Sequence, residues 1–344
     1  MSGAAADTCM FLEAAQAPEV VRTQLAANAA RIDNLARRLR HARPRAVVTC
    51  ARGSSDHAAT YARYLIETRL GVLTSSAAPS VSSIYAATPD LSGAVMLVIS
   101  QSGASPDLLA SVRSARDAGA QIVALVNAES SPLAQLADDL IPLGAGPERS
   151  VAATKSFIAS LSALAQLIAS WSGDDELNAA LGRAPEQLER AWTQDWSAAL
   201  APLRAANNLY VIGRGPGLAV AQEAALKFKE TCALHAEAVS AAELRHGPMA
   251  LVRPGFPLLV FAQNDETRGG IEQLAADLAR ESAAVFLAGS RVAGTTELPT
   301  QGAHPVIEPL LYAQSFYRLA NALSLARGQN PDRPPHLSKV TETV

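Results

Sequence analysis

The sequence predicts an α/β protein made of two tandem, doubly wound (flavodoxin-like) parallel-sheet domains. Three observations carry that expectation. Runs of Val, Ile and Leu alternate with helix-period segments, the pattern of strands buried on both faces. The pattern then repeats: Arg214-Gly215 follows Arg52-Gly53 at an offset of 162 (214 − 52), and Gln263 follows Gln101 at the same offset. The run 284–288 likewise follows 122–126. Finally, small and polar residues gather where those strands end, which is where such sheets bind ligands.

The elements follow in order. Val21, Leu25, Ile32, Leu35 and Leu39 form one stripe of an amphipathic helix that Pro44 stops. Strand 46–50 leads to a helix over 56–68, then strand 95–99, a helix over 105–119 and strand 121–126. The short run 141–143 reads as a further strand, and a helix over 154–171 closes the first copy, with Gly173 as its stop. Strands 209–213, 258–262 and 284–288 rebuild the pattern, and an apolar helix with Leu310, Leu311, Phe316, Tyr317, Leu319 and Leu323 ends near Gly328. The expected organisation is a helical segment (1–44), a first domain (45–173), a helical connection (174–204), a second domain (205–328) and a tail (329–344).

At 344 residues and 49% hydrophobic content, the chain can bury two medium cores. A formal net charge of −3 gives no basic face for nucleic acid, and no Lys/Arg run suits an anionic membrane surface. No apolar run approaches the roughly 20 residues of a membrane helix. Cys9, Cys50 and Cys232 lack zinc or redox spacing, and the opening MSGAAAD has no secretory pattern. A soluble, cytoplasmic protein is expected.

Residues 94–107 are the first candidate site. An apolar strand ends in Ser100, Gln101, Ser102 and Gly103, and Ser105-Pro106 reads as the N-cap and first position of a helix. Hydroxyls, a flexible glycine and a helix N-terminus suit a phosphate dianion. An ordinary strand-to-helix turn has the same composition, so the loop alone does not choose. The first copy also carries Gly53, Ser54 and Ser55, whereas the second has Pro216, Gly217, Asn264 and Asp265 at those places. Only the first copy is equipped for phosphate.

The second copy offers Glu223, Lys227 and Glu230 at i, i+4, i+7, one face of a helix. A solvated salt-bridge stripe has this spacing too. His246 follows in a Gly247-Pro248 turn, and a carboxylate with an imidazole is a common proton-moving pair near neutral pH. His235, in the Ala-rich run CALHAEA, reads as a packed helical residue. The tail NPDRPPHLSKVTETV has three prolines, and Leu337, Val340 and Val344 are candidate anchors that would deliver Lys339 as a Schiff-base amine.

The motifs CARGSSD, ISQSGASPD, ERSVAATKSF, EAALKFKE, HAEAVSAAELRHGP and LSKVTETV, in this order, resemble the sugar-isomerase (SIS) family. The likeness runs from about residue 8 onward and is greatest to the isomerase half of glucosamine-6-phosphate synthases and to stand-alone glucosamine-6-phosphate deaminases. It implies that Ser54, Ser55, Ser100, Gln101, Ser102 and Ser105 bind a sugar phosphate and that Gly53 and Val151 line the sugar. It further implies Glu230 as the base shuttling a proton between C1 and C2, with Lys227 assisting. His246 would be the ring-opening group, supplied by the neighbouring subunit of a homodimer, and Lys339 the terminal lysine. No metal or other cofactor is implied.

Synthases open with a glutaminase domain bearing an N-terminal cysteine, and this sequence offers only Cys9, in a helical context. Ala153 and Ala104 replace a serine and an acidic residue of the synthase pattern. The expected reaction is therefore glucosamine-6-phosphate to fructose-6-phosphate and ammonia. Ammonia-dependent synthesis and fructosamine-phosphate deglycation are the enzymatic alternatives, and a non-catalytic sugar-phosphate sensor is the third.

Overall fold

The structure, a computed structural model, describes residues 7–87 and 89–339. In chain order it builds α1 (Cys9–Ala15), α2 (Ala17–Ala42), β1 (Ala46–Cys50), α3 (Ser54–Leu70), β2 (Thr74–Ser76), α4 (Ser80–Ser83), β3 (Ala94–Ser100), α5 (Pro106–Asp117), β4 (Gln121–Val126), α6 (Pro132–Leu136), β5 (Asp139–Pro142), α7 (Lys155–Ser172) and α8 (Asp175–Trp192). The second half adds α9 (Leu200–Ala205), β6 (Asn208–Gly213), α10 (Gly217–Cys232), β7 (His235–Ser240), β8 (Pro257–Phe261), α11 (Arg268–Arg280), β9 (Ala284–Ala288), β10 (Thr296–Leu298) and α12 (Glu308–Ala326).

Two compact units result. One holds Glu19–Glu148, Lys155–Gly182 and the described tail from Leu337; the other holds the described residues up to Pro18, Arg149–Thr154 and Arg183–His336. Each contains one five-stranded, all-parallel sheet, ordered β2-β1-β3-β4-β5 and β7-β6-β8-β9-β10. Both read 2-1-3-4-5 in their own numbering, the doubly wound order of flavodoxin-like folds.

In the first unit every residue of β3 is buried, so a continuous apolar strand lies at the sheet's centre. Helix α7 is apolar on nearly all sides and correspondingly buried, and it packs on α3. Helix α3 stops at Gly71, which takes the left-handed conformation at φ 66°. In the second unit α10 and α12 pack together, with Phe228 edge-on to Phe316 at 5.1 Å between centroids.

Two expectations are corrected. His235 is not a packed helical residue: α10 ends at Cys232, Ala233 turns left-handed at φ 48°, and His235 opens β7 with its side chain exposed. The shared offset of 162 also slips at the third strand. Val48 pairs with Met96 and Tyr210 with Leu258, both at 162, but Met96 pairs with Ile122 whereas Leu258 pairs with Val285 (285 − 122 = 163). The second copy has one extra residue between those strands.

Of the expected tail anchors, Leu337 is exposed, and Val340 and Val344 lie outside the described residues. Among the described residues no helix is long and apolar enough to cross a membrane. Cys50 and Cys232 are buried free thiols, and burial pushes both up to about 12.

Candidate active site

The loop after β3 is built as a strand-to-helix turn. Ser100, nearly buried at the strand end, accepts the Gly103 amide on Oγ at 2.9 Å. Gly103 has φ 62°, and a Cβ there would strike the Oγ and Cβ of Ser131. Only glycine therefore fits the turn. Ser105 occupies the N-cap of α5, its side chain makes no capping bond, and Pro106 takes the first helical position. Gln101, Ser102 and Ser105 are half-buried.

A carboxylate at this helix start would repel a phosphate. Asp107 is buried, however, and both of its oxygens are engaged. Oδ2 accepts from Arg52 Nε at 3.0 Å and Nη2 at 2.8 Å, and Oδ1 accepts the Leu108 amide at 2.8 Å. Arg52, which marks the repeat in the sequence, is also the cation that offsets this charge. It precedes Gly53, whose φ of 56° opens α3, and Ser54 and Ser55 sit half-buried in the first turn. Burial pushes the neighbouring Asp56 carboxyl above its ordinary range, against the opposing pull of His57 and Arg52.

In the second unit, α10 turns its Glu223–Lys227–Glu230 face inward. Lys227 is fully buried, with Nζ 2.6 Å from Glu230 Oε2 and 3.3 Å from Glu223 Oε1. Tyr317 of α12 donates its hydroxyl to Glu223 at 3.1 Å. Burial drives the Lys227 amine down, but the two carboxylates and their hydrogen bonds outweigh it and the net direction is up. Glu223 is as buried as the lysine, whereas the Glu230 side chain keeps 20% of its surface exposed. A buried cation thus fixes one carboxylate that can still meet a substrate. This is not a solvated stripe.

His246 ends a 3-10 turn over Glu243–His246 and is exposed, beside Gly247 at φ 136°. Leu244 of that turn sits in the core with Val239 and Ala241 and fixes the backbone.

Val151 lies in the strap Arg149–Thr154. Its amide donates to Asp332 O at 3.3 Å, the Ser150 amide donates to Glu13 Oε2 at 3.1 Å, and the side chain of Asp332 takes the amides of Cys9 and Met10 at 2.8 and 2.7 Å. Just before the strap, in the other unit, Glu148 accepts the Ser156 hydroxyl at 2.7 Å and the Ser156 amide at 3.2 Å. Lys339 Nζ lies 3.2 Å from the same carboxylate. Asp107, Glu13 and Glu148 were not singled out in the sequence, Arg52 was read only as a mark of the repeat, and Tyr317 only as part of an apolar helix. Tyr317 left a signal of its partner, a phenol in an otherwise apolar stripe whose hydroxyl needs a buried acceptor.

Among the described residues, no cluster of three or more His, Cys, Asp or Glu could hold a metal ion.

The SIS domain family model matches residues 39–170 and 202–289. Among curated proteins, the chain is 36% identical over 314 residues to the glutamine–fructose-6-phosphate aminotransferase (isomerizing) of Aeropyrum pernix, covering 85% of this chain and 50% of that protein. It is 34% identical over 316 residues to the protein of that name in Zymomonas mobilis, with 85% and 51% covered. The chain spans about half the length of the curated relatives it matches. A Silicibacter pomeroyi structure described as a candidate phosphosugar isomerase superposes with a TM-score of 0.90 at 44% identity, covering 94% of this chain and 100% of that one. The C-terminal domain of the Francisella tularensis glucosamine-fructose-6-phosphate aminotransferase shares the fold, with a TM-score of 0.87 at 24% identity and 97% and 100% covered.

Proposed function

The chain belongs to the SIS domain family, and from that premise we propose that it deaminates and isomerises glucosamine-6-phosphate to fructose-6-phosphate and ammonia. The observation that carries this reading is the pairing on α10. Glu230 is held at 2.6 Å by a fully buried Lys227 while keeping part of its own surface open. The relatives at 36% and 34% identity bear names that specify amino transfer with isomerisation at fructose-6-phosphate.

The phosphate is received by Ser54, Ser55, Ser100, Gln101, Ser102 and Ser105, where Arg52 offsets the charge of Asp107. Gly53 and Val151 contribute backbone along the sugar. His246 moves the proton that opens the ring, and its exposure supports action on a neighbouring subunit of a homodimer. Glu230 takes the proton from C2 and returns it to C1 while the amine loses a proton and O1 gains one, so that C1 becomes a hydroxymethyl group and C2 an imine, with Lys227 orienting the carboxylate. Water adds to that imine and ammonia leaves. Lys339 supplies an amine that can exchange with the substrate nitrogen through a Schiff base.

One assay tests both assignments. Ammonia release from glucosamine-6-phosphate is measured for the wild type, for Glu230→Gln, for His246→Ala and for the two variants mixed under subunit exchange. The proposal expects release by the wild type and loss on the order of a thousandfold in each variant. The mixture should recover roughly a quarter of wild-type turnover, because half the dimers carry one intact site. No release by the wild type, or undiminished release by Glu230→Gln, overturns the reaction. Failure of the mixture to recover overturns the shared site. Faster turnover of fructose-6-phosphate with ammonium, or of a fructosamine phosphate, reassigns the direction or the substrate.

A further inference from the structure

We propose that Glu148 is a positioning residue for the tail amine: its buried carboxylate, fixed by Ser156, receives Lys339 and holds the tail seated. The inference rests on the reaction proposed above and assigns that site the group that presents its amine.

The Glu148 side chain has no exposed surface, and burying a carboxylate is costly unless charge and hydrogen bonds compensate. Ser156 provides the rigid part. Its amide and hydroxyl both donate to Glu148, and it lies in the first turn of α7, a helix buried almost throughout. Lys339 provides the cation, with 26% of its side chain exposed. Pro335, His336, Leu337 and Ser338 just before it are all exposed. Apolar burial of these four residues therefore does not hold this stretch, and Lys339 makes a directed polar contact with Glu148. The carboxylate also fixes where the amine sits, and placement of a reacting group governs rate steeply.

The role is exerted through Lys339. When the amine condenses with a sugar carbonyl, its nitrogen bonds to the carbonyl carbon. Two protons of the ammonium leave with the carbonyl oxygen as water, and a protonated imine remains. Borohydride then adds hydride to that imine and fixes it as a secondary amine on Lys339.

The test uses the full-length protein with Glu148→Gln, Lys339→Met, the double variant and the milder Ser156→Ala, which keeps the carboxylate should Glu148→Gln fold poorly. Three quantities are read: borohydride-trapped fructose-6-phosphate on the Lys339 peptide, kcat against KM for glucosamine-6-phosphate, and deuterium uptake of that peptide without substrate. Glu148→Gln is expected to lower trapping and kcat by about tenfold, with KM moving less than about threefold. Its tail peptide should exchange faster, Ser156→Ala should give a smaller change in the same direction, and the double variant should be no slower than Lys339→Met within about twofold. Trapping within about twofold of wild type, or losses that multiply in the double variant, overturns the proposal. Unchanged uptake overturns the seat itself. Faster uptake in Glu148→Gln together with a wild type that releases no ammonia keeps the seat and overturns the reaction.

Discussion

The residue that decides most is Lys227. Glu223, Lys227 and Glu230 were legible as one helical face from their spacing, but spacing does not distinguish a face turned to solvent from one turned inward. Burial came from α12, whose Tyr317 completes the cluster from across the unit. No local pattern on α10 reports that partner. Removing the cation leaves the buried Glu223 carboxylate uncompensated, so Lys227→Met should cost about 3–5 kcal/mol of stability. The direction of the lysine's shift gives the pH dependence. Its folded value is raised above the ordinary 10.5, so its contribution is complete below that pH and disappears as pH climbs through the higher folded value. The Tm gap between wild type and Lys227→Met, followed by thermal melts from neutral to alkaline pH, should stay constant up to the ordinary lysine range and then narrow. A gap that is absent at neutral pH contradicts this account.

Among the elements, central strands read well because continuous Val/Ile/Leu runs have little competition, and β3 and β4 fall where the apolar runs lie. Strand β7 was missed because Ala, Glu and His in CALHAEA suit a helix by local propensity. Pairing with β6 overrides that preference. The repeat held the missing clue: Val47 pairs with Thr74, and the same offset carries this pair onto Leu209 and Ala236, which also pair (236 − 74 = 162). The loop between β3 and α5 was legible in composition, but its need for glycine rests on Ser131, which is distant in sequence. Ser131 also caps α6 by accepting the Ala134 amide, so it cannot yield without loosening that helix. Gly103→Ala should therefore cost about 1–3 kcal/mol from backbone strain alone. It should also raise KM for the sugar phosphate more than it lowers kcat. Calorimetry and initial rates check both, and unchanged stability with unchanged KM would show that the loop is not built as described.

At the scale of the whole molecule, duplication was the most legible property, since two sheets of one strand order require the same alternation twice. How the sequence blocks combine was not legible. The first-sheet unit takes in the tail from Leu337, and the second-sheet unit takes in α1 and the strap Arg149–Thr154. The strap is tied by the Glu13 carboxylate, which takes the Ser150 amide, and by the Asp332 carbonyl, which takes the Val151 amide, while the Asp332 carboxylate holds the start of α1. Such ties engage a backbone amide far away in sequence, and periodicity carries no trace of them. Divergence between the copies remains the functional message: hydroxyls and Arg52 in one, the α10 cluster and His246 in the other.

The central claim is that Glu230 carries a proton between adjacent carbons of a phosphosugar. Glucosamine-6-phosphate deuterated at C2 tests it most directly, with the position of the label in the product read by NMR. The account predicts deuterium at C1 of fructose-6-phosphate from the wild type and no product from Glu230→Gln. Product formed by Glu230→Gln as fast as by the wild type would contradict it.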